Sequence, residues 1–364
     1  MKIIKRLIAF LPLIALCICA TSCGYRPVKS TKEESKTVLT MSIEDKRYEV
    51  PYELYRAFFL QLKSEVDGGD ESVWTSDKKD EYISKIDEMV YSRIADIYAV
   101  IHLCDKVGID LYSRTVKKTI KDYVKASVEG GVIDSSVFAG FGGDYDAYLE
   151  HLKSMYLNYS VQELLFRYMI ANILLSEHYA DKIENGEYNF TRDDVKAFYN
   201  GDECVRVLQM FLPTTTETDK VINTREKAEN LRDGISELTN EYAVGTYMIS
   251  NSLATDELRG GFFVGKWSLD PMYYEKLTEA AFSLDIGQTS EVIEIYTGSS
   301  DGYFILYRCA KSDENFDKCY DDIEAAYVQN LMGKNIDQIK IALMESISET
   351  DALKNLDRSS ISMD

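Results

Sequence analysis

Between Met41 and Tyr179 apolar residues recur three or four positions apart, the spacing of a helix with one buried face. The clearest stretch carries Ile86, Met89, Val90, Ile94, Ile97, Ile101, Cys104 and Val107, and Asp105-Lys106-Val107-Gly108 supplies its stop. A second helix is predicted over Ser113 to Val128, breaking at Gly130-Gly131, and Asp144 is placed to cap another that runs to about Tyr156. Val161 to Tyr179 is near-continuously apolar, which predicts a helix buried on several sides. Phe190-Thr191-Arg192-Asp193-Asp194 then reads as an apolar staple, a capping threonine and an acid three residues on, opening a short helix to Tyr199.

After the turn chemistry of Asn200-Gly201-Asp202 the period shortens, and Val205 to Leu212 is the first convincing strand. Thr224 opens a helix with Ala228, Leu231, Ile235 and Leu238 on one face. A short strand over Phe262 to Val264 follows. Asp270-Pro271 sets a cap and a first-turn proline for a helix to about Phe282, and Gln288 to Tyr296 and Gly302 to Cys309 read as two strands. From Asn315 to about Lys354 an apolar stripe returns, and a lone helix of that length must pack on something. It is expected to dock on the 41–179 bundle, which makes 203–312 an insertion. The predicted class is α+β, with a helical body from residues 41–200 and 313–364.

The first residues follow another logic. Lys2, Lys5 and Arg6 precede an apolar run from Leu7 to Cys19, and Ala20-Thr21-Ser22-Cys23 is a small-residue exit, so residues 1–22 read as a secretory signal. The apolar run is too short for the roughly 20 residues of an ordinary spanning helix. The exit resembles a bacterial lipobox, which implies that Cys23 becomes a lipid-modified N-terminus; the alternative is a plain signal peptide with an incidental cysteine. Residues 23–40 are polar and without apolar periodicity, and are expected to be a tether. The setting is therefore extracytoplasmic, with the membrane reached through the lipid.

Charge and composition narrow the partners. With 41 basic against 61 acidic residues the chain carries a net charge of −20, which argues against nucleic acid or an anionic surface held by bulk electrostatics. No Walker loop, dinucleotide fingerprint or CxxC spacing occurs, so neither a cofactor nor a metal is expected. Tyrosine is abundant at 26 residues, which suits a surface that grips peptides or, equally, ordinary helix packing.

Four stretches resemble the parvulin family of peptidyl-prolyl isomerases. They are Val205 to Phe211, Arg259-Gly260-Gly261-Phe262-Phe263-Val264-Gly265, Glu279-Ala280-Ala281-Phe282-Ser283-Leu284 with Gly287-Gln288-Thr289-Ser290, and Gly302-Tyr303-Phe304-Ile305-Leu306. With the lipobox and flanking helices, the whole chain looks like an extracytoplasmic foldase of the PrsA and SurA type. The resemblance implies a four-stranded antiparallel sheet with helices and a site at its first and last strands. The family's two facing histidines fall on Gln209 and Phe304, and the acid or cysteine before the double glycine falls near Asn251 or Ser252. The seat for a substrate proline maps to Phe262 or Phe263, Met272 or Tyr273, and Leu277, with Phe282 beneath. No histidine lies in this segment, since the chain has only His102, His151 and His178.

If the two site positions oppose each other, residue numbers across the strands sum to 513, and Cys204 and Cys309 share that sum. The resemblance then implies cross-strand neighbours, either disulfide-bonded or two reduced thiols. Rotation about an X-Pro bond has a barrier of about 18–20 kcal/mol and needs no proton transfer, so a site that favours the twisted imide can act without an acid or base. Two readings follow: a membrane-anchored isomerase and chaperone for unfolded or partly folded exported polypeptides, or a catalytically inactive scaffold that only binds peptides. A solute-binding lipoprotein would need two α/β lobes, which the helical first half opposes.

Overall fold

The computed structural model describes residues 27–67, 72, 74, 77–133, 136–187, 190–214, 223–252, 261–267, 275–295 and 302–363. The signal segment and Cys23 therefore lie outside the described residues. The described residues divide into two compact units: residues 178–334, and residues 27–177 together with 335–363.

The unit built from the two ends of the chain opens on a hairpin that the helical reading missed. Strands β1 (Thr37–Ile43) and β2 (Lys46–Pro51) pair antiparallel, from Leu39 opposite Val50 to Ile43 opposite Lys46. A register shift between Thr37 and Leu39 puts Val38 and Leu39, 2% and 0% exposed, both into the core. That bulge breaks the alternation by which a strand is recognised. The expected tether over 23–40 is corrected accordingly, because its last residues belong to β1. Glu34, further back, bonds the Arg56 guanidinium at 2.8 Å.

Helix α1 (Tyr52–Asp67) leads to α2 (Lys79–Lys106), whose buried face runs from Ile86 through Ile94, Ile97 and Ile101 to Cys104, and Gly108 takes φ +85° beyond its end. Helix α3 (Arg114–Glu129) starts at the Ser113 cap, a two-stranded hairpin β3 (Gly131–Ile133) and β4 (Ser136–Phe138) follows, and Asp144 caps α4 (Tyr145–Ser154). Helix α5 (Tyr159–Glu184) comes next.

The single C-terminal helix expected to Lys354 is in fact several elements: α10 (Asp313–Lys318), α11 (Tyr320–Glu345), strand β9 (Ser348–Glu349) and α12 (Asp351–Lys354). β9 pairs with β1, Leu39 opposite Glu349, so residues after Ser346 exchange helical hydrogen bonds for a sheet edge. Arg358 completes this closure, with Nε 2.9 Å from Asp87 and Nη2 2.8 Å from Glu349.

Glu34 gives this unit an acid limit. Burial raises its pKa, but the Thr31 backbone N–H, Arg56, the Thr31 hydroxyl and Asn158 outweigh that and bring it from 4.5 to about 2. A carboxyl depressed in the folded state contributes stability above its unfolded pKa and loses it as pH falls through the folded value. Glu34→Gln is therefore expected to be less stable than the parent at pH 7 and to lose less between pH 4.5 and 2; parallel acid unfolding curves for the two chains would refute this.

In residues 178–334 the Thr191–Asp194 capping box opens α6 (Arg192–Asn200). Strands β5 (Cys204–Pro213), β6 (Phe262–Gly265), β7 (Ile293–Ile295) and β8 (Gly302–Cys309) form an antiparallel sheet of order β6-β5-β8-β7. Helices α7 (Arg225–Ser236), α8 (Glu241–Asn251) and α9 (Glu275–Ser283) cover it; α8, opened by an Asn240 cap, was not read from the sequence. The predicted strand over 288–296 shrinks to Ile293–Ile295 with a bridge from Thr289 to Tyr307, and Asp270-Pro271 lies outside the described residues.

One face of the sheet presents Leu208, Met210, Leu212, Tyr303 and Ile305 to α7 and α8. The other presents Val205, Val207, Phe304 and Leu306 to Leu277 and Ala281 of α9. The unit is wider than the expected 203–312, because α6, α10 and the start of α11 bury Val195, Phe198, Tyr199, Phe316 and Ile323 with Cys204 at the beginning of β5.

Candidate functional site

The site expected from the sequence lies on the α9 face. β5 and β8 are antiparallel neighbours, but Gln209 stands opposite Leu306 and Phe211 opposite Phe304, so opposed numbers sum to 515. The expected direct opposition of Gln209 and Phe304 is corrected by two residues. An even offset keeps both side chains on one face, where a slip of one would have separated them. Phe304 is 5% exposed and stacks on Phe211 with centroids 4.6 Å apart. Gly302 makes room for this pair: a Cβ there would meet Phe211 Cε2 at 2.4 Å and the Leu212 carbonyl oxygen at 2.7 Å.

Gln209 is half-buried, and its Oε1 is enclosed without a hydrogen-bond partner among the described residues. A buried acceptor left unmade costs about 1–3 kcal/mol.

The apolar seat divides. Phe262 and Phe282 pack at the margin of the α9-face cluster, and Leu277 is its fully buried floor at 0% exposure. Leu277 therefore supports the face from below and does not line a cleft. Phe263 points through the other side of β6 to the Tyr199 ring, 5.9 Å away, and is removed from the seat. Adjacent strand residues face opposite ways, so only one of the two phenylalanines could serve. Met272 and Tyr273 lie outside the described residues.

Neither candidate for the loop position is poised for proton transfer. Asn251 Nδ2 donates to the Tyr247 carbonyl at 2.8 Å, on its own helix. Ser252 Oγ accepts from the Phe211 N–H at 3.0 Å and donates to the Phe211 carbonyl at 3.2 Å. A hydroxyl so engaged takes the place of a neighbouring strand at the edge of β5 and holds the backbone under the aromatic pair.

The cysteine pairing is corrected with the register. Cys204 stands opposite Gly265 on β6, Cys309 opposite Arg206, and both are free thiols that burial pushes up to about 12. Those thiols are inert near neutral pH.

No family model matches the chain, and no curated protein matches it. Among solved structures it is similar to the foldase protein PrsA of Streptococcus pneumoniae, at 18% identity and a TM-score of 0.31, covering 74% of this chain and 88% of that one. PrsA of Bacillus subtilis is similar at 14% identity and a TM-score of 0.24, over 77% of this chain and 88% of that one. The foldase protein PrsA of Lactococcus lactis is similar at 13% identity and a TM-score of 0.23, over 87% of this chain and 96% of that one.

Two supporting residues escaped the sequence reading. Arg308, on β8, donates to the Ala281 carbonyl at 2.7 Å and ties the last turn of α9 to the sheet. Burial lowers its pKa. Lys311 donates to the carbonyls of Tyr199, Gly201 and Cys204 at 2.7, 2.8 and 2.8 Å, clasping the chain as it enters β5 to the chain as it leaves β8. A basic residue just past a strand reads as ordinary surface, and nothing in its neighbours signals three distant carbonyls. The α9 face thus brings the Gln209 amide oxygen onto the side of the sheet that carries the stacked Phe211 and Phe304 rings, and the sequence supplies no imidazole there.

Proposed function

We propose that this chain is an extracytoplasmic, membrane-anchored folding factor that binds extended, partly apolar segments of exported polypeptides and eases rotation about their X-Pro bonds. The observation that carries the reading is the Gln209 amide oxygen, without a hydrogen-bond partner among the described residues, on the same sheet face as the stacked Phe211 and Phe304 rings. A prolyl ring seated at the aromatic margin loses water around its carbonyl, which favours the twisted imide over the planar one. Gln209 supplies an acceptor for a backbone N–H of the bound segment, and no side chain need gain or lose a proton. The lipobox-like Ala20-Thr21-Ser22-Cys23 supports a lipid anchor at Cys23 in this reading.

The burial of Leu277 and Phe304 favours a second reading, in which the face binds peptide without turnover. Proline-limited refolding of a model protein separates the two. The first predicts acceleration by the full chain that falls several-fold in Gln209→Leu. Peptide binding with no acceleration establishes the second, and absence of both ends the assignment.

A further inference from the structure

Helix α3, in the unit formed by the chain ends, carries charge opposite to that of the molecule. Arg114, Lys117, Lys118, Lys121 and Lys125 are all exposed, against two acids, Asp122 and Glu129, in a chain whose net charge is −20. At 3.6 residues per turn the basic positions fall within about 100° of the helix circumference and form one stripe. The opposite face, with Val116, Ile120, Tyr123 and Val124, is buried. Lys125 has Glu129 at 3.7 Å, whereas Arg114, Lys117, Lys118 and Lys121 have no ion pair among the described residues.

Stability does not account for this stripe. Like charges three and four positions apart on a helix repel, as Arg114 with Lys118 and Lys121 with Lys125 must. The first turn holds Arg114 and Lys117 and no acid, the wrong sign for the positive end of a helix dipole. Cations held together in water, against the local electrostatics, are the arrangement of a surface for an anion.

The start of the chain says which anion. The fold takes hold at Ser30, whose Oγ bonds the Glu53 carboxylate and lies 2.7 Å from Ser160 Oγ; a little further on the Tyr52 N–H donates to the Lys36 carbonyl at 2.8 Å. Ser30 is seven positions past Cys23, so even fully extended chain spans at most about 25 Å between them. With the lipid anchor at Cys23 proposed above, on which this step rests, the unit is held close to the membrane surface. Exposed Lys29 and Lys32 stand on the same segment. A charged surface is felt over a Debye length of about 8 Å, so it meets the nearest face and not the net charge of the chain.

We infer that the basic stripe of α3 docks on the anionic headgroups of the membrane to which the chain is tethered. Because the apolar face of α3 is already buried in the unit, the contact is electrostatic and the helix does not insert. It supplies the basic second signal that, beside a lipid, makes anchoring durable.

Co-flotation of the full chain with vesicles of phosphatidylcholine alone, or of phosphatidylcholine and phosphatidylglycerol in equal parts, tests this. The parent is expected to favour the anionic vesicles several-fold and to lose that preference at about 1 M salt, where the Debye length is about 3 Å. Lys118→Glu with Lys121→Glu is expected to remove most of the preference, and Lys118→Gln with Lys121→Gln, a gentler exchange, to remove part of it. Lys276→Glu with Lys354→Glu shifts the net charge as far on exposed residues elsewhere and is expected to keep it. The first α3 variant should keep the parent's thermal transition, since both positions are exposed and the exchange relieves repulsion with Arg114 and Lys125. Cys23→Ala reads the anchor separately: lower binding to both vesicles at an unchanged ratio supports it, and unchanged binding removes the anchor while the α3 variants still judge the stripe. A preference that survives both α3 exchanges, or falls equally in the Lys276 and Lys354 variant, overturns the proposal. So does binding of soluble polyphosphate through the α3 lysines without a preference for anionic vesicles.

Discussion

Gly333→Ala is expected to destabilise residues 178–334 by about 3 kcal/mol or more, against the sign that helix propensity gives. Gly333 lies inside α11, where exchanging glycine for alanine ordinarily gains about 1 kcal/mol. Here the added Cβ would stand 1.6 Å from the Trp267 carbonyl oxygen and 2.7 Å from its carbon. Backbone cannot yield as the tip of a side chain does, so the helix or the turn after β6 must move. Movement is costly because Asn330, 1% exposed and one turn before Gly333, accepts the Trp267 N–H at 3.0 Å and donates to Glu203 at 3.2 Å. Thermal unfolding should show a midpoint lower by about 6–12 °C. Gly245→Ala in α8 is the control, since its Cβ would meet Leu208 Cδ1 at an ordinary 3.6 Å and the same exchange should be neutral or stabilising. A Gly333→Ala chain more stable than the parent would show that α11 does not meet Trp267.

Lys311→Met is expected to cost about 3 kcal/mol through a different mechanism. The ammonium gives each of its three protons to one carbonyl, and the removal of charge leaves three acceptors in partly buried surroundings. Each such loss ranges over about 1–3 kcal/mol, offset by relief of the desolvation that lowers the Lys311 pKa. Nearby, the Ser312 N–H donates to the Tyr199 hydroxyl at 2.9 Å, which in turn donates to the Ser312 carbonyl at 3.1 Å, so the base of the sheet should loosen as a whole. Lys311→Arg should not rescue it, since a planar fork cannot reach three carbonyls arranged around a point. Denaturant unfolding should show a lower midpoint at unchanged slope. A midpoint equal to that of the parent would remove the clasp from the account.

The parts of the fold visible in the residues are those decided within a few positions. Ser113, Asp144, Thr191 and Thr224 cap the helices expected of them, because a side-chain acceptor and the N–H groups it satisfies are neighbours in the chain. The strand centred on Val207 and the closing strand from Gly302 are likewise marked by their own composition. Where local signals conflicted the reading failed: the bulge at Val38 concealed β1, and the end of the C-terminal helix was missed because β9 forms only with β1 present.

The candidate site followed the same division. The parvulin resemblance implied that Gln209 and Phe304 lie on adjoining antiparallel strands, and the α+β class followed from the change of period along the chain. Only the tertiary structure decided that the register is offset by two, that Phe262 and not Phe263 shares the Gln209 face, that Leu277 is floor, and that Cys204 and Cys309 do not oppose each other. Those outcomes depend on how side-chain volumes from segments some hundred residues apart fit together, as the Phe211 ring does over Gly302. A linear sequence records each volume but not which others it will meet.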